Sequence, residues 1–244
     1  MVLAAVAAFA GAFVQSTTGF GFALLLSPAL FAVMEPVEAV MALIVLGVVL
    51  SVLVLFERGR PEHVDWRALV PMLLAALPGL AVGAIALTEL SKQALQVGVG
   101  VAVIAAAAWQ LHRRRRRERP RLPAAAGLAA GFVSGALTTS ISVSGPPVVL
   151  WLEARGARPE EFRETLAAIF LALNLAGGLV LLGAEGSASI EAGTIGPLLA
   201  LVVAGYALGA LAFRRLDPER FYTLALALVA GTGVASVMAG AGVL

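Results

Sequence analysis

Six runs of about 20 residues in this chain are almost free of charge, at 37–56, 68–88, 93–111, 164–183, 194–213 and 221–241. A helix rising ~1.5 Å per residue needs roughly that many to cross the ~30 Å hydrocarbon core of a bilayer. Of 244 residues, 60% are hydrophobic and only 13% charged, too few charges to cover the outside of a water-soluble core of this size. The surface must therefore face lipid, and the chain reads as an all-α integral membrane protein. The absence of cysteine excludes disulfides, thiolate metal sites and a Cys nucleophile. The two histidines, His63 and His112, lie in charged stretches rather than in the apolar runs, so neither zinc nor haem is expected, and no cofactor. The opening run has no basic leader and is followed by more membrane sequence, so residues 2–14 read as part of the mature fold.

Two further regions, 2–34 and 122–152, are apolar at both ends but interrupted by small polar residues: Gln15-Ser-Thr-Thr-Gly-Phe-Gly21 and Ser134-Gly-Ala-Leu-Thr-Thr-Ser-Ile-Ser-Val-Ser-Gly-Pro-Pro147. Each is either one interrupted crossing or a hairpin that enters and leaves on the same side. Basic residues collect on the cytoplasmic side of membrane proteins, and this decides between the two. If both regions are hairpins, all sixteen arginines fall in the cytoplasmic loops 57–67, 112–121, 153–163 and 214–220, while the outer loops hold Glu35, Glu89, Glu185, Glu191 and the lone Lys92. If each region crosses once, the loops at 153–163 and 214–220 face outward with six arginines. The hairpin reading wins. Two full crossings per region give the same sides but leave arms of about 14 residues, roughly 21 Å, too short to span. Broken or re-entrant half-helices fit best, with strongly tilted short helices as the alternative.

The halves also resemble each other. Gly11-Ala-Phe-Val precedes the first polar stretch and Gly131-Phe-Val-Ser the second. Later, Pro78-Gly79-Leu-Ala-Val-Gly83 followed by Leu90-Ser91-Lys-Gln93 mirrors Ala204-Gly205-Tyr-Ala-Leu-Gly209 followed by Leu216-Asp217-Pro-Glu219, at one constant offset. The organisation expected is an N-terminal repeat over 1–111 (hairpin 2–34; spans 37–56, 68–88, 93–111), a basic cytoplasmic linker at 112–121, and a C-terminal repeat over 122–244 (hairpin 122–152; spans 164–183, 194–213, 221–241). A hairpin plus three crossings inverts the second copy relative to the first, with both termini on the periplasmic or extracellular side. Two inverted repeats with interrupted helices form an architecture of secondary transporters, with the substrate site at the bilayer midplane.

On these residues the chain resembles the sulfite exporter TauE/SafE family of membrane anion permeases, also called TSUP. The resemblance covers nearly the whole chain. It is carried by Gly11 to Gly21 ending in Ser27-Pro28, by Val64-Asp65-Trp66-Arg67 leading into Pro78-Gly79 and Gly83, by the Leu90-Ser91 boundary, and by Gly131-Phe-Val-Ser-Gly135 running to Ser144-Gly145-Pro146-Pro147. Phe20 and Phe22 depart from the glycine-rich form of the first motif, and the second motif is unusually rich in Ser and Thr. The resemblance implies movement of sulfite, organosulfonates such as sulfoacetate, or related small sulfur oxyanions across the bacterial inner membrane, usually outward.

Taking an oxyanion out of water requires several hydrogen-bond donors around it. The N-terminus of a half-helix offers unpaired N–H groups and the positive end of its dipole. The candidate substrate-binding residues are Gln15, Ser16, Thr17, Thr18, Gly19 and Gly21 from one half, and Ser134, Gly135, Thr138, Thr139, Ser140, Ser142, Ser144 and Gly145 from the other. The alternative for these small residues is close helix packing or bonding back to the backbone. Asn174, the one strongly polar side chain in the middle of a span, is a candidate to face the site; its alternative is an interhelical hydrogen bond. Pro28 and Pro146-Pro147 are expected to break or start half-helices. Gly79 with Gly83, and Gly205 with Gly209, have the spacing of close-packing surfaces. The run His112 to Arg119 reads as a topology anchor meeting anionic headgroups, not a nucleic-acid patch, and Trp66 and Trp109 as interface anchors.

The spans hold no buried carboxylate or histidine for proton coupling; Glu35, Glu38, Glu89 and Glu153 sit at edges. Anion exit down the membrane potential, or coupling through a protonated substrate, is therefore expected. The partners expected are a small anion and the lipid bilayer, with a homodimer left open and no nucleic acid. An anion channel or a permease for another small anion is the competing reading. A membrane-embedded enzyme lacks a base for its hydroxyls, and a cation permease lacks carboxylates or thiolates in the spans.

Overall fold

The computed structural model describes residues 1–57, 59–115, 123, 125–185, 192–212, 231, 233, 234 and 236–242. Among these the chain forms helices α1 (Val2–Thr18), α2 (Phe22–Val33), α3 (Pro36–Leu55), α4 (Trp66–Glu89), α5 (Lys92–Arg115), α6 (Ala125–Ile141), α7 (Gly145–Ala154), α8 (Pro159–Glu185) and α9 (Ala192–Ala212), and no strand. Helices α3, α4, α8 and the Lys92–Trp109 part of α5 are long and apolar enough to cross a bilayer, with mean hydropathies between 1.3 and 2.8. Leu74 and Ile85 of α4 stand exposed, as side chains do where lipid tails replace water. This is an all-α, multi-pass membrane protein. The span expected at 221–241 lies largely outside the described residues, and so does the linker beyond residue 115.

Both interrupted regions break where the backbone turns left-handed. Gly19 ends α1 at φ +84 with its N–H on Gln15 O at 2.8 Å, and Gly21 opens α2 at φ +118. In the second region the turn falls on Ser142, at φ +58, the one non-glycine residue in that conformation among those described. The breaks are off-centre, so the arms are unequal: 17 and 12 residues in the first region, 17 and 10 in the second. Pro146 and Pro147 occupy the first turn of α7, where a missing N–H costs nothing. Pro28 does not start or break a helix; it lies inside α2. The positive-φ glycines place the break, and a membrane helix tolerates the proline because neighbouring elements supply polar partners. Ser27 beside it donates to Ile141 O at 2.8 Å, tying α2 to the end of α6.

The first arm of each region packs along a span of the other half, backbone on backbone. A Cβ added at Gly79 meets Phe132 O at 2.1 Å, at Gly83 Ala136 O at 2.1 Å and at Gly135 Ala76 O at 2.3 Å, which makes α4 and α6 a parallel, closely apposed pair. Helices α1 and α9 are joined in the same way, through Gly205 against Phe9 O at 2.3 Å and Gly209 against Ser16 Oγ at 2.0 Å. Without a hydrophobic drive between helices in lipid, such close approach supplies the dispersion contacts that hold them. Gly79→Val and Gly205→Val leave the opposing carbonyl nowhere to go. Each should lower stability by at least the ~1–3 kcal/mol typical of overpacking, read as a lower midpoint of thermal unfolding in detergent; an unchanged midpoint for both contradicts this packing.

One end of the bundle gathers the α3–α4 loop and the start of α8. Arg163 pairs with Glu57, the His63 ring meets Glu164 at 3.2 Å, Arg155 meets Asp65 at 3.0 Å, and Asp65 N donates to Thr165 Oγ1 at 2.8 Å. The second region begins and ends at that same end, where Gly127 of α6 abuts the Trp151 ring of α7. At the other end Lys92 pairs with Glu35 at 3.1 Å.

Candidate functional site

Helices α2 and α7, 12 and 10 residues long, are roughly 18 and 15 Å each, about half of a ~30 Å core. Their N-termini meet near the middles of α3 and α8, and from there the two helices run outward to opposite ends of the bundle. Where they meet, a small cavity is lined by Gln15, by Phe20 to Leu24, by Leu43, Gly47 and Ser51 of α3, by Ser142 to Gly145, and by Phe170 and Asn174 of α8. No lining residue carries a charge.

Gln15, 5% exposed, accepts the Phe22 N–H on its Oε1 at 3.2 Å. That bond fixes the start of α2 on the last turn of α1 and orients the amide so that its NH2 stays a donor. Ser51 is 1% exposed, and its Oγ has no partner among the described residues. A buried hydroxyl left unpaired costs free energy unless something else bonds it, and this one borders the cavity. Asn174 lies over Gly47, whose missing side chain makes room for it; a Cβ there would stand 2.9 Å from Asn174 Nδ2. The two half-helices contribute their positive ends. Gly145 keeps its N–H, whereas Pro146 and Pro147 have none, so around α7 the hydroxyls of Ser142 and Ser144 make up part of the donor set. The lining also carries apolar surface from Phe20, Phe22 and Phe170, each under a tenth exposed.

Of the residues singled out in the sequence, the structure brings Gln15, Gly21, Ser142, Ser144, Gly145 and Asn174 to the cavity. It places the rest elsewhere. Ser16 donates to Phe13 O, Thr17 to Val14 O, and Thr18 to Val14 O and Phe20 O. Thr138 donates to Ser134 O, Ser140 to Ala136 O, and Thr139 across to Leu80 O on α4 at 2.7 Å. Gly135 is a packing contact, Gly19 is the cap of α1 beside Arg163, and the Ser134 hydroxyl is buried without a partner among the described residues, away from the cavity lining. Apart from that of Ser134, these hydroxyls bond to backbone carbonyls of helices, the alternative weighed for them above.

Sequence reasoning missed Ser51, Gly47 and the aromatic wall. Ser51 carried a usable signal: with Glu38 at the edge, it is the one polar side chain inside the 37–56 run, the criterion that picked out Asn174. Arg163 was counted only for topology. Its Nη2 donates to Ser16 O at 2.8 Å, capping the carbonyl end of α1.

The family model described as sulfite exporter TauE/SafE matches residues 3–236. The chain belongs to that family. Among curated TauE/SafE relatives, the chain is 29% identical over 165 residues to a probable sulfite/organosulfonate exporter TauE of Cupriavidus necator, an alignment covering 66% of this chain and 64% of that protein. The chain thus spans somewhat less than two thirds of the curated relative's length. No solved structure matches it.

Proposed function

We propose that this TauE/SafE protein is a secondary transporter, working as an exporter, that carries small sulfur oxyanions such as sulfite or organosulfonates across the bacterial inner membrane, and that it is not an enzyme. The observation that carries the reading is the meeting of two half-helix N-termini, one from each half, on a single cavity bordered by an unpaired buried hydroxyl. The family and the name of the C. necator relative support it. The reciprocal packing of α1 on α9 and α4 on α6 supports two inverted repeats around that cavity, the arrangement that lets one half rock against the other. The end bearing Arg155 and Arg163 is taken as cytoplasmic. The partners are then the carried anion and the surrounding bilayer.

The test is flux from proteoliposomes loaded with sulfite or methanesulfonate. Saturable efflux with counterflow is expected. Linear flux without counterflow points to a channel instead, and flux no greater than that of empty liposomes removes the reading. Thr18→Ala and Thr139→Ala, which alter hydroxyls outside the cavity, should change the rate by less than about threefold, whereas Asn174→Leu should reduce it far more. The sides can be checked because the chain has no native cysteine: Glu62→Cys in the α3–α4 loop should resist, and Glu89→Cys should accept, an impermeant thiol reagent added outside cells. The reverse pattern contradicts the orientation.

A further inference from the structure

We infer that the cavity selects its ligand by charge: it takes oxyanions bearing one negative charge, sulfonates and hydrogensulfite, and rejects the doubly charged forms, sulfate, fully ionised sulfite and sulfonates carrying a second ionised acid, sulfoacetate among them although the family resemblance suggests it. This rests on the reading above that the cavity is the anion site, and it narrows the substrate class of that site.

The positive potential available is limited. No arginine, lysine or histidine lines the cavity, and each half-helix N-terminus supplies about half an elementary charge, so the pair offers roughly one. The cost of removing an ion from water rises with the square of its charge, so a dianion needs about four times the compensation of a monoanion of similar size. The donor supply is limited as well. The Phe22 N–H is already held by Gln15 Oε1, and Pro146 and Pro147 remove two N–H groups from the first turn of α7. What remains is chiefly neutral: the Ser51 and Ser144 hydroxyls and the Gln15 and Asn174 amides. Neutral donors stabilise an anion less than charged ones do. The rest of the lining includes the rings of Phe20, Phe22 and Phe170, against which a second charged group would lie unpaired. Ser51 adds independent weight: its hydroxyl, 1% exposed and without a partner among the described residues, borders the cavity.

The experiment is equilibrium binding to the purified full-length chain in detergent at constant ionic strength, with methanesulfonate, methanedisulfonate, sulfate and sulfite as probes. Methanesulfonate should bind at least about 100-fold more tightly than sulfate or methanedisulfonate. Sulfite affinity should fall about tenfold for each pH unit above its second ionisation, where the singly charged form is depleted, while methanesulfonate affinity stays level across that range. Dianions binding within about tenfold of methanesulfonate, or sulfite affinity level through its ionisation, overturn the charge inference while leaving the anion site in place. Failure of both methanesulfonate and sulfite to bind at any pH overturns the anion site, and this inference with it.

Discussion

Ser51→Asp is expected to abolish anion transport, whereas Ser51→Asn, similar in size but uncharged, should retain a measurable fraction of it. Position 51 is 1% exposed and borders the cavity, so an ionised carboxylate there stands next to the bound anion with little water between them. At a separation of ~4 Å and an effective dielectric of ~20, two like charges repel by about 4 kcal/mol. At ~1.4 kcal/mol per tenfold, that weakens binding about a thousandfold. A hydroxyl with a merely structural role predicts a different pattern, with Asp and Asn impairing transport in proportion to their effect on stability. Unfolding midpoints measured beside the flux separate the two. Near wild-type transport by Ser51→Asp at neutral pH would remove Ser51 from the site.

The second large effect is expected at Gly21. At φ +118 a residue with a Cβ is strained by roughly 1–3 kcal/mol whatever surrounds it, and here the new Cβ also stands 2.9 Å from Val14 Cγ1. Gly21→Ala therefore acts twice, straining the start of α2 and pushing it off α1, which displaces the Phe22 N–H from Gln15. Most transport should be lost. Adding Val14→Ala removes the collision but not the backbone strain, so the double variant should recover only part of the rate. Gly19→Ala is the comparison: φ is +84, but the nearest neighbour is Arg163 Cγ at 3.6 Å, so strain acts alone and the loss should be smaller. Equal effects at 19 and 21, or full rescue by Val14→Ala, contradict a break held by Gly21 conformation.

The positions of α3, α4 and α9 were legible in the sequence because the bilayer imposes a length and forbids charge, so the runs at 37–56, 68–88 and 194–213 stop directly before Glu57, Glu89 and Arg214. The interruptions were legible for a related reason: glycine and hydroxyl residues have no purpose in a lipid-facing helix. Where within them each helix ends was not legible, because that depends on which residue takes positive φ, and in the second region it is Ser142 rather than a glycine. The candidate site was half legible. Gln15 and Asn174 are polar in apolar surroundings and stand out alone. Ser16 and Thr139 looked equivalent to Ser142 and Ser144 in the sequence, and only the three-dimensional partner of each hydroxyl separates them: a backbone carbonyl for the first two, the cavity wall for the others. Gly47 could not be found from sequence at all, since its value is the space it leaves for a side chain on α8.

The central claim, that α2 and α7 bring their N-termini to one anion, is most directly tested by thiol protection. The chain lacks cysteine, so Ala23→Cys at the start of α2 and Ser144→Cys at the start of α7 can each be labelled alone in detergent with a small methanethiosulfonate reagent. Methanesulfonate should slow the reaction at both positions with the same half-saturating concentration, because a single ligand covers both. Protection of only one cysteine, or half-saturation at clearly different concentrations, would contradict the account.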